Sequence, residues 1–270
     1  MPTKIDFRDC VHQGIAGPTP EHILASIRAE YCLPPVTSFP AAHSTEAAPA
    51  AVRAEDFPAL ERALGAAAFR QLLSDLRRWA DGKDSLDDLP EFLAQHRYGR
   101  ATAALVDLAC LERALAVSER APQVSSIGAC CLPPVLLRTH PDMTLKFHPA
   151  WQWLDLGTPA DHWRNALLGH NANVAPPLPR VTRLRIHPEE ARIVTRRLQP
   201  AEFAFERALL AGESLQHAEA SARRLTPSFD SMQAVHGLLI AGAVVDADLH
   251  PAYAATDQSH AILQPRQVMP

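Results

Sequence analysis

Residues 181–249 read VTRLRIHPEEARIVTRRLQPAEFAFERALLAGESLQHAEASARRLTPSFDSMQAVHGLLIAGAVVDADL. Val181–Ile186 and Ala191–Arg197 alternate apolar and polar residues, the mark of half-buried strands. His187-Pro188-Glu189-Glu190 between them reads as the turn of a β-hairpin. Three helical patterns follow. Gln199-Pro200-Ala201-Glu202 opens the first with Pro and Glu in its first turn, and Phe203, Phe205, Ala208, Leu209 and Leu210 supply its apolar side. Ser214 caps the second. The third spans Phe229–Ile240 and ends at Gly242, after which Val244-Val245 returns as a short strand. A hairpin joined to three short helices is the plan of a winged helix-turn-helix, which serves nucleic acid in some proteins and peptides in others.

The composition narrows that choice. The chain has 270 residues, 47% of them hydrophobic, enough to bury a sizeable core. Its net charge of −4 and pI near 6.3 lack the basic field of a dedicated nucleic-acid binder. The third helix, Ser231–Ile240, contains no Arg or Lys, whereas a major-groove helix offers such donors to bases and phosphates. A winged-helix DNA-binding regulator is therefore the alternative reading, with peptide recognition ahead of it. Five cysteines, odd in number and without a C-x-x-C pair, point to a reducing compartment. The N-terminus lacks a signal-peptide apolar core, and the run Gly237–Val245 is too short to span a bilayer. The expectation is a cytoplasmic protein with no membrane segment.

Upstream, Thr19-Pro20-Glu21 begins a short helix that Pro34-Pro35 ends, and residues 36–54 read as a Pro/Ala-rich linker. From Asp56 the pattern turns helical. Phe57, Leu60, Leu64, Phe69, Leu72, Leu73 and Leu76 recur at three- and four-residue steps, with Gly65 separating two helices. Asp81–Asp84 is a turn, and Ser85–Gln95 a short connector and helix. Arg100–Arg120 is the longest helical pattern. Leu105, Leu108, Cys110, Leu111 and Leu115 line its buried side, while Glu112, Arg113, Glu119 and Arg120 are expected in water. Residues 121–143 carry four prolines and read as an irregular connector. Thr144–Gly157 alternates like a strand, with a turn at His148-Pro149, and Asp161-His162-Trp163 starts a short helix. The fold expected is α+β: an N-terminal helical bundle, then a small winged-helix-like domain with a three-stranded antiparallel sheet. The divisions are an N-terminal segment and linker (1–54), a helical domain (55–125), a winged-helix-like recognition domain (126–250) and a loose tail (251–270).

Catalytic signatures are absent. The sequence has no phosphate loop, dinucleotide glycine pattern, nucleophile elbow or His-Glu-x-x-His. Its thirteen histidines show no ligand spacing, and several precede proline in turns (His140, His148, His187, His250). A free-standing redox enzyme built on Cys130-Cys131 is a third reading, weakened by the lack of a partner ligand. No catalytic or metal-ligating residue is expected in this chain.

The order of motifs adds a resemblance. FPALERALGAAAFRQLL (57–73), LDDLPEFLA (86–94), LVDLACLERAL (105–115), LKFHPAWQWLDL (145–156) with Trp163 downstream, the hairpin, and FERALLAGESLQHA (205–218) resemble the HvfC/BufC family over residues 55–245, its methanobactin-biosynthesis MbnC branch most of all. The Tyr-Arg-x-Asn helix motif that opens many members has no counterpart before Phe57. The resemblance implies a non-catalytic subunit of a heteromeric oxidase. Its partner would be a TIM-barrel multinuclear non-haem iron enzyme, with the iron held there and no cofactor in this chain. Together they would modify cysteines of a ribosomally made precursor peptide, forming an oxazolone and a thioamide in a copper-chelator pathway. It also implies that the leader of that peptide adds as a strand to the C-terminal domain.

The residues themselves are compatible with strand addition. Ala191–Arg197 is short and studded with arginine, as a managed sheet edge should be. The expected peptide-binding residues are Arg192, Ile193, Val194, Thr195, Arg196 and Arg197 on the strand, and Val235, His236, Leu239 and Ile240 on the helix facing it. Arg192, Arg196 and Arg197 would pair with acidic leader side chains. Charge reversal at Arg192 or Arg196 is expected to weaken binding and spare the fold.

Overall fold

The computed structural model describes residues 53–80, 86–128, 132, 134–169, 174–190 and 192–248. The expected Thr19 helix and most of the linker, the Asp81–Asp84 turn, Cys10, Cys32, Cys130, Cys131, Ala191 and the tail after Pro251 lie outside the described residues.

Helices α1 (Pro58–Leu64) and α2 (Ala66–Trp79) are separated by Gly65, whose φ of 81° is the left-handed conformation that glycine adopts without cost. Helices α3 (Leu89–Gln95), α4 (Arg97–Ala101) and α5 (Ala103–Arg120) follow. Phe57, Leu60, Phe69, Leu72, Leu89, Phe92, Leu93 and Leu108 bury against one another between these helices. Trp163 and Leu167, far downstream, complete the same core.

Glu112 departs from expectation. It is only 1% exposed. Its two carboxylate oxygens accept the backbone N–H groups of Ala59 and Leu60 at 2.9 and 3.0 Å, and Arg164 Nε lies 3.3 Å away. Pro58 and Phe57 offer no side-chain cap to α1, so a residue on α5 satisfies the orphan donors of its first turn. Burial raises the Glu112 pKa, and those N–H bonds and Arg164 oppose the rise. The connector also differs from expectation: Pro134–Thr139 forms helix α6, with proline at its first position.

Among the described residues, five strands make two small antiparallel sheets. β1 (Thr144–Phe147) pairs with β5 (Val244–Asp248), and β2 (Gln152–Leu156), β3 (Thr182–Glu189) and β4 (Arg192–Arg197) form a three-stranded sheet in the order β2-β3-β4. The fold class is thus α+β with a three-stranded antiparallel sheet. The turn at His148-Pro149 does not fold β1 onto β2; it carries the chain from one sheet to the other. β5 closes on β1, where Lys146 Nζ lies 3.1 Å from Asp246 and 2.9 Å from Asp248. α7 (Ala160–Leu168) links β2 to β3.

The β3–β4 hairpin is longer than its sequence implies. His187, Pro188 and Glu189 belong to β3, and the reversal is made at Glu190, with φ of 54°. Leu198 N–H donates to Arg183 O at 2.9 Å. In an antiparallel ladder the inward-bonding residues alternate. Arg192, Val194 and Arg196 therefore turn their backbone groups toward β3. Pro188 pairs with Ile193, a position that requires no N–H, so proline costs the ladder nothing. Leu184 and Ile186 on one face of β3 are fully buried against Leu111, Ala114, Leu156 and Ala160.

Helices α8 (Pro200–Leu210), α9 (Leu215–Arg223) and α10 (Ser231–Ile240) follow the hairpin. Ser214 Oγ caps α9 by accepting His217 N–H, and Asp230 caps α10 by accepting Gln233 N–H. Among the described residues no helix is long and apolar enough to cross a membrane.

Candidate functional site

A cleft of about 1070 Å³ opens between the β3–β4 hairpin, the N-terminus of α8 and helix α10. The pleat decides what faces it. Arg185, His187 and Glu189 alternate with the buried Leu184 and Ile186, so they share the opposite face of β3. Their cross-strand neighbours Arg196, Val194 and Arg192 lie on that face of β4.

The floor holds a buried ionic cluster. Arg185 is 5% exposed and Glu206, from α8, 1%. Arg185 Nη1 donates to Glu206 Oε1 at 2.6 Å, and Trp153 Nε1 donates to Glu206 Oε2 at 2.5 Å. The Arg185 guanidinium also lies 5.2 Å from the centre of the Trp151 ring. Burial raises the Glu206 pKa, while Arg185 and the Trp153 N–H favour its charged form. His187, 7% exposed, stacks 4.6 Å from Trp151. Desolvation, with the positive charges of Arg185 and Arg196, lowers its pKa to about 4, so the ring is neutral at physiological pH. Among the described residues, Arg185 Nε and His187 Nδ1 are buried without a hydrogen-bond partner.

The expected binding residues divide between the cleft and the core. Val194, Thr195, Arg196 and His236 line the cleft. Ile193 faces away from it and packs partly buried against the core under β3. Val235 and Leu239 are core residues on the inner side of α10, whereas Ile240 is exposed. α10 presents Gln233, Ala234 and Gly237 to the cleft instead.

The arginines differ in availability. Arg197 is held by Asp161 through two hydrogen bonds of 2.8 and 2.7 Å, and Arg196 lies 3.1 Å from Glu202. Arg192 is exposed and has no ion pair among the described residues. Charge reversal at Arg196 would therefore set two carboxylates against each other within the fold, and Arg192 is the clean position for that test.

β4 pairs only with β3, so its outer edge is unpaired among the described residues. The parity set by Leu198 directs the backbone N–H and C=O groups of Ile193, Thr195 and Arg197 outward. The edge and the cleft adjoin at Thr195.

No protein-family model matches the chain, and no curated protein matches its sequence. Among the described residues no group of three or more His, Cys, Asp or Glu is placed to hold a metal ion. Sequence reading missed Arg185, His187, Glu206, Trp151 and Trp153. One signal was present: Glu206 interrupts the apolar run FAFERALL (203–210) of α8.

Proposed function

We propose that this chain is a peptide-recognition subunit. An extended peptide pairs with the outer edge of β4, and its side chains enter the adjoining cleft. The observation that carries the reading is the β4 edge, unpaired among the described residues, bordering a cleft of about 1070 Å³. Strand addition obtains affinity from main-chain hydrogen bonds and specificity from pockets beside the strand, and both elements are adjacent here. The hairpin and helices α8–α10 would then act as a winged-helix-type recognition element behind a helical N-terminal domain.

The motif order that resembles the HvfC/BufC family supplies the rest of the proposal. The peptide is the leader of a Cys-containing ribosomal precursor, and the partner is a TIM-barrel multinuclear non-haem iron oxidase that holds the metal. The oxidative chemistry, oxazolone and thioamide formation, belongs to that partner. This chain presents the substrate in the cytoplasm.

The test uses a backbone change. Thr195→Pro removes an outward N–H without taking any bond from β3, and proline is tolerated at such edge positions. In co-expression with an iron-barrel oxidase and a Cys-containing precursor peptide, the wild-type chain is expected to retain both products. Thr195→Pro should lose the peptide and keep the barrel protein. Arg192→Glu should weaken peptide binding by less, because an exposed pair contributes roughly 0–1 kcal/mol. A chain that purifies alone and never retains either product overturns the reading. Salt-dependent, sequence-selective binding of duplex DNA would favour a regulator instead.

A further inference from the structure

We propose that residues 175–181 form a docking ridge for a partner protein whose groove is lined by aromatic side chains and rimmed by a carboxylate. The ridge is separate from the cleft and independent of the peptide reading. Its sequence is APPLPRV. Proline fixes φ near −65°, which sets Pro176, Pro177 and Pro179. The residue before a proline is steered out of the helical region, which sets Ala175, Pro176 and Leu178. The chain from Ala175 to Pro179 is thereby committed to the extended polyproline II conformation, with three residues per turn.

Burial follows that period. Val174 and Pro177, three residues apart, are half-buried, whereas Ala175, Pro176, Leu178 and Pro179 are exposed. One edge of a three-sided helix thus lies on the protein, and two edges face solvent. The segment is pinned at both ends. Trp163 Nε1 donates to Val174 O at 3.3 Å, and Val174 packs against the helical core. Arg180 N–H donates to Gly157 O at 2.7 Å. On one solvent edge stand Leu178, 85% exposed, and Val181, 62% exposed. Pro176 and Pro179 make the other.

Hydrogen-bonding capacity and charge select the partner. From Ala175 to Pro179 every residue carries a carbonyl, but only Ala175 and Leu178 carry an N–H. Among the described residues none of those carbonyls accepts a hydrogen bond. The complementary surface must therefore donate, while offering apolar walls to Leu178 and the prolines. Trp indole N–H and Tyr hydroxyl groups do both. Polyproline II segments dock such aromatic-lined grooves at small ordering cost, because their conformation is preformed. Arg180 is exposed and has no ion pair among the described residues, which places a carboxylate at one end of the groove. The bond from Arg180 to Gly157, just beyond β2, puts the ridge on the β2 side of the three-stranded sheet. The open edge belongs to β4 on the other side, so ridge and edge do not compete.

The experiment uses the full chain, with an isolated 15N-labelled WW domain and an isolated 15N-labelled SH3 domain as model grooves. Each domain is titrated with the chain and followed by NMR. At least one is expected to show saturable shifts confined to its aromatic groove. Leu178→Asp puts a charge on the ridge at an exposed position, so the urea midpoint should not change. Binding should weaken about tenfold or more. Arg180→Glu keeps the backbone N–H to Gly157 and should weaken binding by up to about fivefold, as loss of an exposed ion pair does. Thr195→Pro should bind as wild type does. No saturable shift in either domain, binding that survives Leu178→Asp, or binding lost in Thr195→Pro overturns the ridge. A concentration-dependent dimer of the wild-type chain that Leu178→Asp dissolves also overturns it, by assigning these residues to a second copy of the chain.

Discussion

Replacing Arg185 by Met tests whether the floor of the cleft is held by a buried charge pair. The Arg185 guanidinium is bonded to Glu206 at 2.6 Å, and both side chains are almost wholly shielded from solvent. Met preserves much of the aliphatic bulk and removes the charge. Glu206 then remains buried with only the Trp153 N–H as partner. Breaking one side of such a pair costs about 3–5 kcal/mol when the other stays charged, a large share of the roughly 5–15 kcal/mol that hold a domain folded. The cost has a pH signature. Burial already raises the Glu206 pKa, and Arg185 opposes the rise, so removing Arg185 raises it further. A carboxyl whose folded pKa exceeds its unfolded value favours folding at low pH and loses that advantage as pH rises through the window between them. Urea unfolding followed by tryptophan fluorescence, with Trp151 and Trp153 beside the mutation, reads this out. The penalty at pH 8 should exceed that at pH 5. A penalty below about 1 kcal/mol at both values, or one independent of pH, would refute the buried-pair account.

Other perturbations separate other parts of the fold. Glu112→Ala removes the acceptor of two N–H groups at the start of α1 and should cost about 2–3 kcal/mol in thermal or urea unfolding, with Glu112→Gln costing less because it still accepts one bond. His187 works in the opposite sense to the raised carboxyls. Its folded pKa of about 4 lies below the ordinary 6.5, so its contribution is complete above pH 6.5 and is lost as pH falls toward 4. That loss is of order 2–3 kcal/mol. The stability difference between wild type and His187→Leu, followed from pH 7.5 to 4, should shrink accordingly, and a constant difference would contradict the assignment. Gly237→Ala adds a methyl in open space on α10 and should stabilise the chain by about 0.5–1 kcal/mol in the same unfolding assay.

What could be read in the sequence follows the range of the interactions. The hairpin announced itself because alternation has a period of two and is local. Gly65 was visible as a helix break, and Ser214 as a cap, for the same reason. Strand partnership was not local. β1 meets β5 some hundred residues later, as in Lys146 with Asp246, and no periodicity encodes that meeting. The candidate site divides along the same line. An edge at Arg192–Arg197 with a helix opposite was legible, but not which faces meet, so Val235 and Leu239 were drawn into the cleft although they fill the core. Charge was the hardest to read. A lone Glu on an amphipathic helix ordinarily points to water, and nothing near Glu112 or Glu206 in sequence names Arg164 or Arg185 as its partner. Yet both carboxylates sit within apolar helical runs. Burying each requires a specific donor set elsewhere in the chain. A carboxylate flanked by apolar residues on a core helix therefore points to a distant partner: Glu112 leads to the start of α1, and Glu206 to the floor of the cleft.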